Sequence, residues 1–177
     1  MELESPTPPF TASHYDVAPG IGLALLKPFE AAQIGVMFAS MDPWARYPVS
    51  AAKLTAFFKA TEAGSPRFAI RVDGQLEGAL AIKANWFCGP YIQTFGLAPM
   101  SQGRGVGSAI LAFIERQARA AGDRNLWVAA SDFNARALAF YERAGFARAA
   151  TLDGLLQDGQ TEILLRKPLP PPLKQFV

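Results

Sequence analysis

One cysteine and one histidine occur in 177 residues. Cys88 alone cannot form an internal disulfide, and two such side chains are too few for a structural zinc site. Charge is sparse too: 18% of residues are charged and the formal net charge is +2. A chain so near balance has no strong basic surface for a nucleic-acid partner. No apolar run reaches the length of a membrane span. The acidic, proline-rich start (Glu2, Glu4, Pro6, Pro8, Pro9) is the opposite of a secretory leader. These absences predict a cytoplasmic protein with no metal, nucleic-acid or membrane partner, and leave a homodimer open. There is no internal repeat. Without partners for Cys-His chemistry, Cys88 reads as a small buried hydrophobe and His14 as a surface residue.

Apolar residues make up 50% of the chain, enough for a sizeable core and against global disorder. We divide it into an N-terminal extension (1–21), one domain (22–167) and a proline-rich tail (168–177). Residues 1 to about 20 read as an extended arm, followed by a first strand from Gly22 to Lys27. Ile34, Met37, Phe38 and Met41 recur at helical spacing, so Phe29 to Met41 reads as a helix. Asp42-Pro43-Trp44 ends it. Ser50 caps a second helix through Thr61. Arg67–Val72 and Gln75–Ala84 flank Asp73-Gly74, a strong hairpin signal, with Gly78 marking a bulge. Strands follow at Tyr91–Leu97 and Leu126–Ala130, with a helix from Val106 to Ala121 between them. Asn134–Ala144 is a helix closed by Gly145. Phe146–Leu152 and Thr161–Arg166 form a last strand pair. The tail reads as extended. The order β-α-α-β-β-β-α-β-α-β-β is that of a mixed α/β sheet, mostly antiparallel and flanked by helices.

The chemistry concentrates at Gln102-Gly103-Arg104-Gly105-Val106-Gly107, between a strand and a helix. Glycines let backbone N–H groups close on an anion, and the helix start adds unpaired N–H groups and a positive dipole end. A phosphorylated ligand fits there; a tight turn with no ligand is the plainer alternative. A Walker loop would need Lys-Ser or Lys-Thr after the last glycine, and Ser108-Ala109 stands there instead. A dinucleotide fingerprint lacks its third glycine. Gln102, Gly105 and Gly107 instead fill the signature of the GNAT superfamily of acyl-CoA-dependent N-acyltransferases, which this chain resembles. A second block, at Asn134, Ala137, Tyr141, Gly145 and Phe146, resembles that family's later helix and strand.

The resemblance implies a GNAT-like fold across about residues 22–166 and acetyl-CoA as the donor. It places the pyrophosphate on the loop amides of Gln102, Gly103, Arg104, Gly105, Val106, Gly107 and Ser108. The strand ending at Leu97 and Ala98 would splay from its neighbour and bond the pantetheine arm. Asn134 and Tyr141 share one helix face with Ala137 between them. Asn134 would bond the arm's amides, and Tyr141 would protonate the departing sulfur, since a phenol stays protonated at neutral pH. A packed core tyrosine is the alternative for Tyr141.

Relatives commonly carry a glutamate on the strand before the loop, and Tyr91–Leu97 has no carboxylate. The amine's proton would then leave through water, oriented by Gln93 or Thr94, or to a carboxylate from elsewhere, with Asp42 and Asp132 as candidates. Asp42, Trp44, Tyr47, Tyr91 and Gln93 are the candidate acceptor-binding residues, with core packing the alternative reading for the aromatic ones and for Trp86 and Phe87. The expected activity is N-acetyl transfer by direct attack of a primary amine on a small molecule or peptide. The alternatives are a non-catalytic acyl-CoA sensor and, more distantly, a nucleotide-dependent oxidoreductase.

Overall fold

The computed structural model describes residues 8–170. One eight-stranded sheet runs through it in the order β1-β2-β3-β4-β5-β6-β8-β7. The strands are β1 (His14–Ala18), β2 (Ile21–Leu25), β3 (Arg67–Val72), β4 (Gln75–Lys83), β5 (Tyr91–Leu97), β6 (Asn125–Ser131), β7 (Ala147–Asp153) and β8 (Thr161–Pro168). The helices are α1 (Pro28–Ala39), α2 (Ala51–Lys59), α3 (Val106–Ala120) and α4 (Ala135–Arg143). Every neighbouring pair is antiparallel except β5 and β6, which run parallel. This is the mixed, mostly antiparallel α/β sheet that the element order predicts.

The predicted local signals have visible causes. Asp73 and Gly74 take φ of +50° and +81° between paired Val72 and Gln75, the two-residue turn whose twist suits a hairpin. The β3–β4 register skips a residue between Gly78 and Leu76, so the bulge falls beside Gly78. The Ser50 hydroxyl accepts the Lys53 N–H at 3.2 Å and starts α2. Along β4 the side chains alternate, as strand geometry requires. Leu80 and Ile82 join a core cluster with Ile110, Phe113 and Ile114 of α3, whereas Ala79 packs with Ile34, Phe38 and Phe58 of α1 and α2.

Both ends depart from expectation. The expected arm contains β1, which forms a hairpin with β2, and Phe10 ahead of it is only 3% exposed. Tyr15 supplies the reason: its ring packs at 5.8 Å from Phe68 and 5.0 Å from Phe113. At the other end Pro168 still pairs with Asn125, and buried Leu169 donates its N–H to the Arg124 carbonyl at 2.8 Å. The remainder of the expected tail, and residues 1–7 of the arm, lie outside the described residues. α1 stops at Ala39, before Met41, and Trp44–Arg46 forms a separate 3-10 turn. Cys88 is exposed with φ of +60°, in the turn between β4 and β5, and is no buried hydrophobe. Phe87 beside it is likewise exposed and outside the core. Among the described residues no helix is long and apolar enough to cross a membrane.

Candidate active site

The turn from β5 into α3 is held by its own side chains and leaves its backbone open. Gln102 donates Nε2–H to the Leu97 carbonyl at 2.8 Å and accepts from Arg136 at 2.6 Å, tying the turn to β5 and to α4. Gly103 and Gly105 have φ of +74° and +82°, and a Cβ on either would meet nothing within 4 Å. Gly105 is the N-cap of α3 and gives it no side-chain cap. The first-turn N–H groups therefore face open space at the positive end of a 15-residue helix, which suits a phosphorylated ligand. Gly107 serves packing as well: a Cβ there would lie 3.1 Å from Phe140 Cζ, so its absence lets α4 sit close against α3. At the start of α4 the Asn134 side chain accepts the Ala137 N–H at 3.1 Å.

β5 and β6 pair only at Tyr91–Trp127 and Ile92–Val128, and then part. The expected splay is therefore present, and two cavities meet at it. A cleft of about 380 Å³ is walled by Leu97, Gln102, Gly103, Gly105, Gly107 and Ser108 on one side and by Asn134, Ala137 and Tyr141 on the other. A second cavity of about 590 Å³ is walled by Tyr47, Tyr91, Gln93, Thr94, Ser131 and Glu162, with Leu155 and Leu156 from the β7–β8 loop. Trp44, Phe95, Asn134, Ala137 and Tyr141 stand in both walls. Trp44 stacks on Phe38 at 4.2 Å.

Tyr141 is 6% exposed, and burial, with a smaller contribution from Tyr91, pushes its phenol well above the ordinary tyrosine value. It holds its proton throughout the neutral range. Among the described residues its hydroxyl makes no hydrogen bond within the protein. In the wall of the second cavity, the Tyr47 hydroxyl donates to Glu162 Oε1 and lies 2.7 Å from Ser131 Oγ. Tyr47 is raised to about 12 by burial and by its bond to Glu162, and Tyr91 is raised by burial and by the charge of Glu162.

Several expected site residues stand elsewhere. Ala98 lies outside both walls: its N–H donates to Glu77 and its carbonyl accepts from Ser101, so both backbone groups are used within the fold. For Arg104 and Val106 the expectation concerns the amides, which lie in the turn and at the start of α3; their side chains stand outside both walls, Val106 in the core at 3% exposure and Arg104 as an exposed loop charge. Asp42 stands in the wall of the first cleft and not in that of the second cavity, and is held by Arg46 at 2.8–2.9 Å. Asp132 is exposed and in neither wall. Neither aspartate is thus placed to receive a proton in the second cavity. Glu162 escaped the sequence reading. The signal available was a lone carboxylate among the apolar residues of Thr161-Glu162-Ile163-Leu164-Leu165.

Comparison with known proteins follows the same lines. The chain is 29% identical over 107 residues to streptothricin acetyltransferase of Streptomyces lavendulae, covering 58% of this chain and 57% of that protein. It thus spans little more than half the length of that curated relative. A crystal structure from Desulfovibrio desulfuricans, described as a GNAT-family acetyltransferase, superposes with a TM-score of 0.68 at 21% identity, over 84% of this chain and 98% of that one. A Bacillus anthracis structure described as a streptothricin acetyltransferase, solved with acetyl coenzyme A, superposes with a TM-score of 0.55 at 20% identity, over 62% and 65% of the two chains. The profile of the acetyltransferase (GNAT) family matches residues 33–146, from α1 through the turn after α4. With that match on this sheet and these helices, the chain belongs to the GNAT acetyltransferase family.

Proposed function

We propose that this enzyme moves an acetyl group from acetyl-CoA to a primary amine on a small molecule, by direct attack of the amine. The observation that carries the reading is Tyr141, a buried protonated phenol standing in the wall that both cavities share. The glycine turn and first-turn amides of α3 would hold the diphosphate. The unpaired stretch of β5 beyond Ile92 and the Asn134 side chain would align the pantetheine arm. Bound there, acetyl-CoA supplies an activated acyl group and a thiolate leaving group. Tyr141 gives that sulfur its proton. A cysteine-bound intermediate has no support, because Cys88 lies in neither wall. The streptothricin-acetylating relative supports a small-molecule acceptor over a peptide. Family membership does not favour a non-catalytic sensor.

The test is release of free thiol from acetyl-CoA over a panel of primary amines, with Tyr141→Phe as control. The variant keeps the ring packing and lacks the proton. Turnover should fall about 10²-fold, the usual scale of acid catalysis, with acetyl-CoA affinity unchanged by calorimetry. Unchanged single-turnover rates would remove Tyr141 from the role, and absence of acetyl-CoA binding by the wild-type protein would overturn the reading as a whole.

A further inference from the structure

Glu162 is a buried carboxylate for which the fold supplies no countercharge. It is 4% exposed near the start of β8, next to the edge strand, and among the described residues no lysine, arginine or histidine pairs with it. Its one hydrogen-bond partner is the Tyr47 phenol, which occupies Oε1 and leaves Oε2 free. Uncompensated buried charge is costly, so a carboxylate kept in this state is suited to a cation that arrives from outside. The route is present, since Glu162 forms part of the second cavity's wall together with the shared residue Tyr141. Apart from the exposed Lys53 of α2, the polar groups that share the wall with it on neighbouring elements are neutral, among them Tyr47 before α2, Tyr91 on β5, Ser131 at the end of β6, Asn134 at the start of α4 and Tyr141 on it. Both Tyr47 and Tyr91 register the charge of Glu162 as raised phenol ionisation.

The remaining wall defines the rest of the ligand. Trp44, Leu54, Phe57, Leu155 and Leu156 give it an apolar lining, and its only other charged side chain is the exposed Lys53. A second ammonium on the acceptor would meet that lysine or lose its water against hydrocarbon.

We infer that Glu162 seats the acceptor's ammonium group and takes its proton, and that the acceptor is a primary amine bearing one positive charge on an apolar body. The inference rests on the acetyl transfer proposed above. In the step, one ammonium proton passes to Glu162 Oε2 and frees the nitrogen lone pair. The N–C bond then forms at the thioester carbonyl as the C–S bond breaks. Tyr141 protonates the thiolate, and the second proton lost from nitrogen restores the phenol. Glu162 returns its proton to water once the amide has left. Tyr47 acts as a positioning residue: its bond to Oε1, braced by Ser131, fixes the carboxylate in the cavity wall and leaves Oε2 for the acceptor.

The experiment compares 2-phenylethylamine with spermidine as acceptors at saturating acetyl-CoA, for the wild-type protein, Glu162→Gln and Glu162→Asp. We expect 2-phenylethylamine to be the better acceptor of the wild-type enzyme. Glu162→Gln should lower its kcat/KM about 10²-fold at neutral pH. That deficit should shrink as pH approaches the amine's own ionisation near 10, where solvent supplies the free base. Glu162→Asp keeps a carboxylate and should retain an intermediate rate, which separates lost chemistry from misfolding. Calorimetry should show unchanged acetyl-CoA binding in all three proteins. Equal kcat/KM and equal pH profiles for Glu162→Gln and wild type overturn the role of Glu162, while thiol release and acetyl-CoA binding leave the transferase reading standing. Preference for spermidine, or no transfer to 2-phenylethylamine by a protein that binds acetyl-CoA, overturns the acceptor class.

Discussion

Replacing Gly96 with alanine adds one methyl carbon to β5 at the point where α1 and the Trp44 turn lean on the sheet. That carbon would lie 2.5 Å from Phe38 Cζ and 2.8 Å from Trp44 Cη2, whereas ordinary contact begins at 3.4 Å. The nearest ring must therefore retreat by about 0.9 Å, the difference between 3.4 and 2.5 Å. Phe38 has nowhere to go: it is fully buried, stacked on Trp44 at 4.2 Å and edge-on to Phe58 at 5.3 Å. Overpacking of this kind costs roughly 1–3 kcal/mol. For a domain of this size that is a fall in Tm of roughly 2–12 °C. Trp44 is the freer neighbour and stands in both cavity walls, so its displacement should also raise KM for both substrates. The strain is steric, since Gly96 is not among the positive-φ glycines. Adding Phe38→Leu removes the ring atoms at 2.5 and 3.0 Å and should relieve it. The double variant should then be more stable than the sum of the single losses by about 1 kcal/mol, a coupling typical of residues in contact. Thermal melts and urea titrations of the four proteins measure this. A Gly96→Ala protein that melts with the wild type, or losses that simply add, would refute the steric account.

Two further outcomes follow from other parts of the fold. Gly105→Ala meets no steric obstacle yet must hold φ near +82°, so it should cost about 1–2 kcal/mol of stability and weaken acetyl-CoA binding by calorimetry, with little change in turnover at saturation. Burial pushes the Glu115 carboxyl up, but the bonds and charges of Lys167, at 2.6 Å, and Arg119 outweigh it and hold it below the usual glutamate range. A depressed carboxyl contributes stability that is fully present above its unfolded pKa, about 4.3, and is lost as pH falls through the folded value. The wild-type Tm should thus drop more between pH 7 and pH 3 than that of Lys167→Met, and parallel curves would contradict the linkage.

The legible parts of the fold were those specified by neighbours in sequence. Asp73-Gly74 demands positive φ at two successive positions, and a hairpin turn is its outlet. Ser50 and Asn134 cap helices with their own side chains three residues from the N–H they accept. β1 was not legible, because Tyr15 and Val17 are too few to establish a period of two. Only rings far along the chain, on β3 and α3, show that Tyr15 belongs inside. The same limit explains Cys88. Its residue type favours burial, while its place at a positive-φ turn between two long strands puts it in solvent.

The site divides in the same way. The glycine turn and the Asn134–Tyr141 face could be placed from sequence, because backbone conformation and helix periodicity are local properties. Ala98 shows where a family resemblance stops short: it implies a backbone group free for the pantetheine arm, and in this chain the Ala98 N–H bonds the Glu77 carbonyl of β4. Glu162 could not be placed by any local rule. Its hydrogen-bond partner is Tyr47, 115 residues earlier, and its charge reaches Tyr91 on β5; they converge because β8 inserts between β6 and β7 instead of extending the sheet at its edge. Had β7 and β8 been added in chain order, β7 would lie beside β6, and β8 would be the outer edge with its carboxylate in water. The strand exchange is thus what sets a charged residue beside the end of β6, in the wall of the second cavity. A fold that opens its sheet between β5 and β6 leaves backbone groups free on one strand and space for a second ligand beside them. The two cavities that meet at the splay are thus two consequences of that single break in pairing.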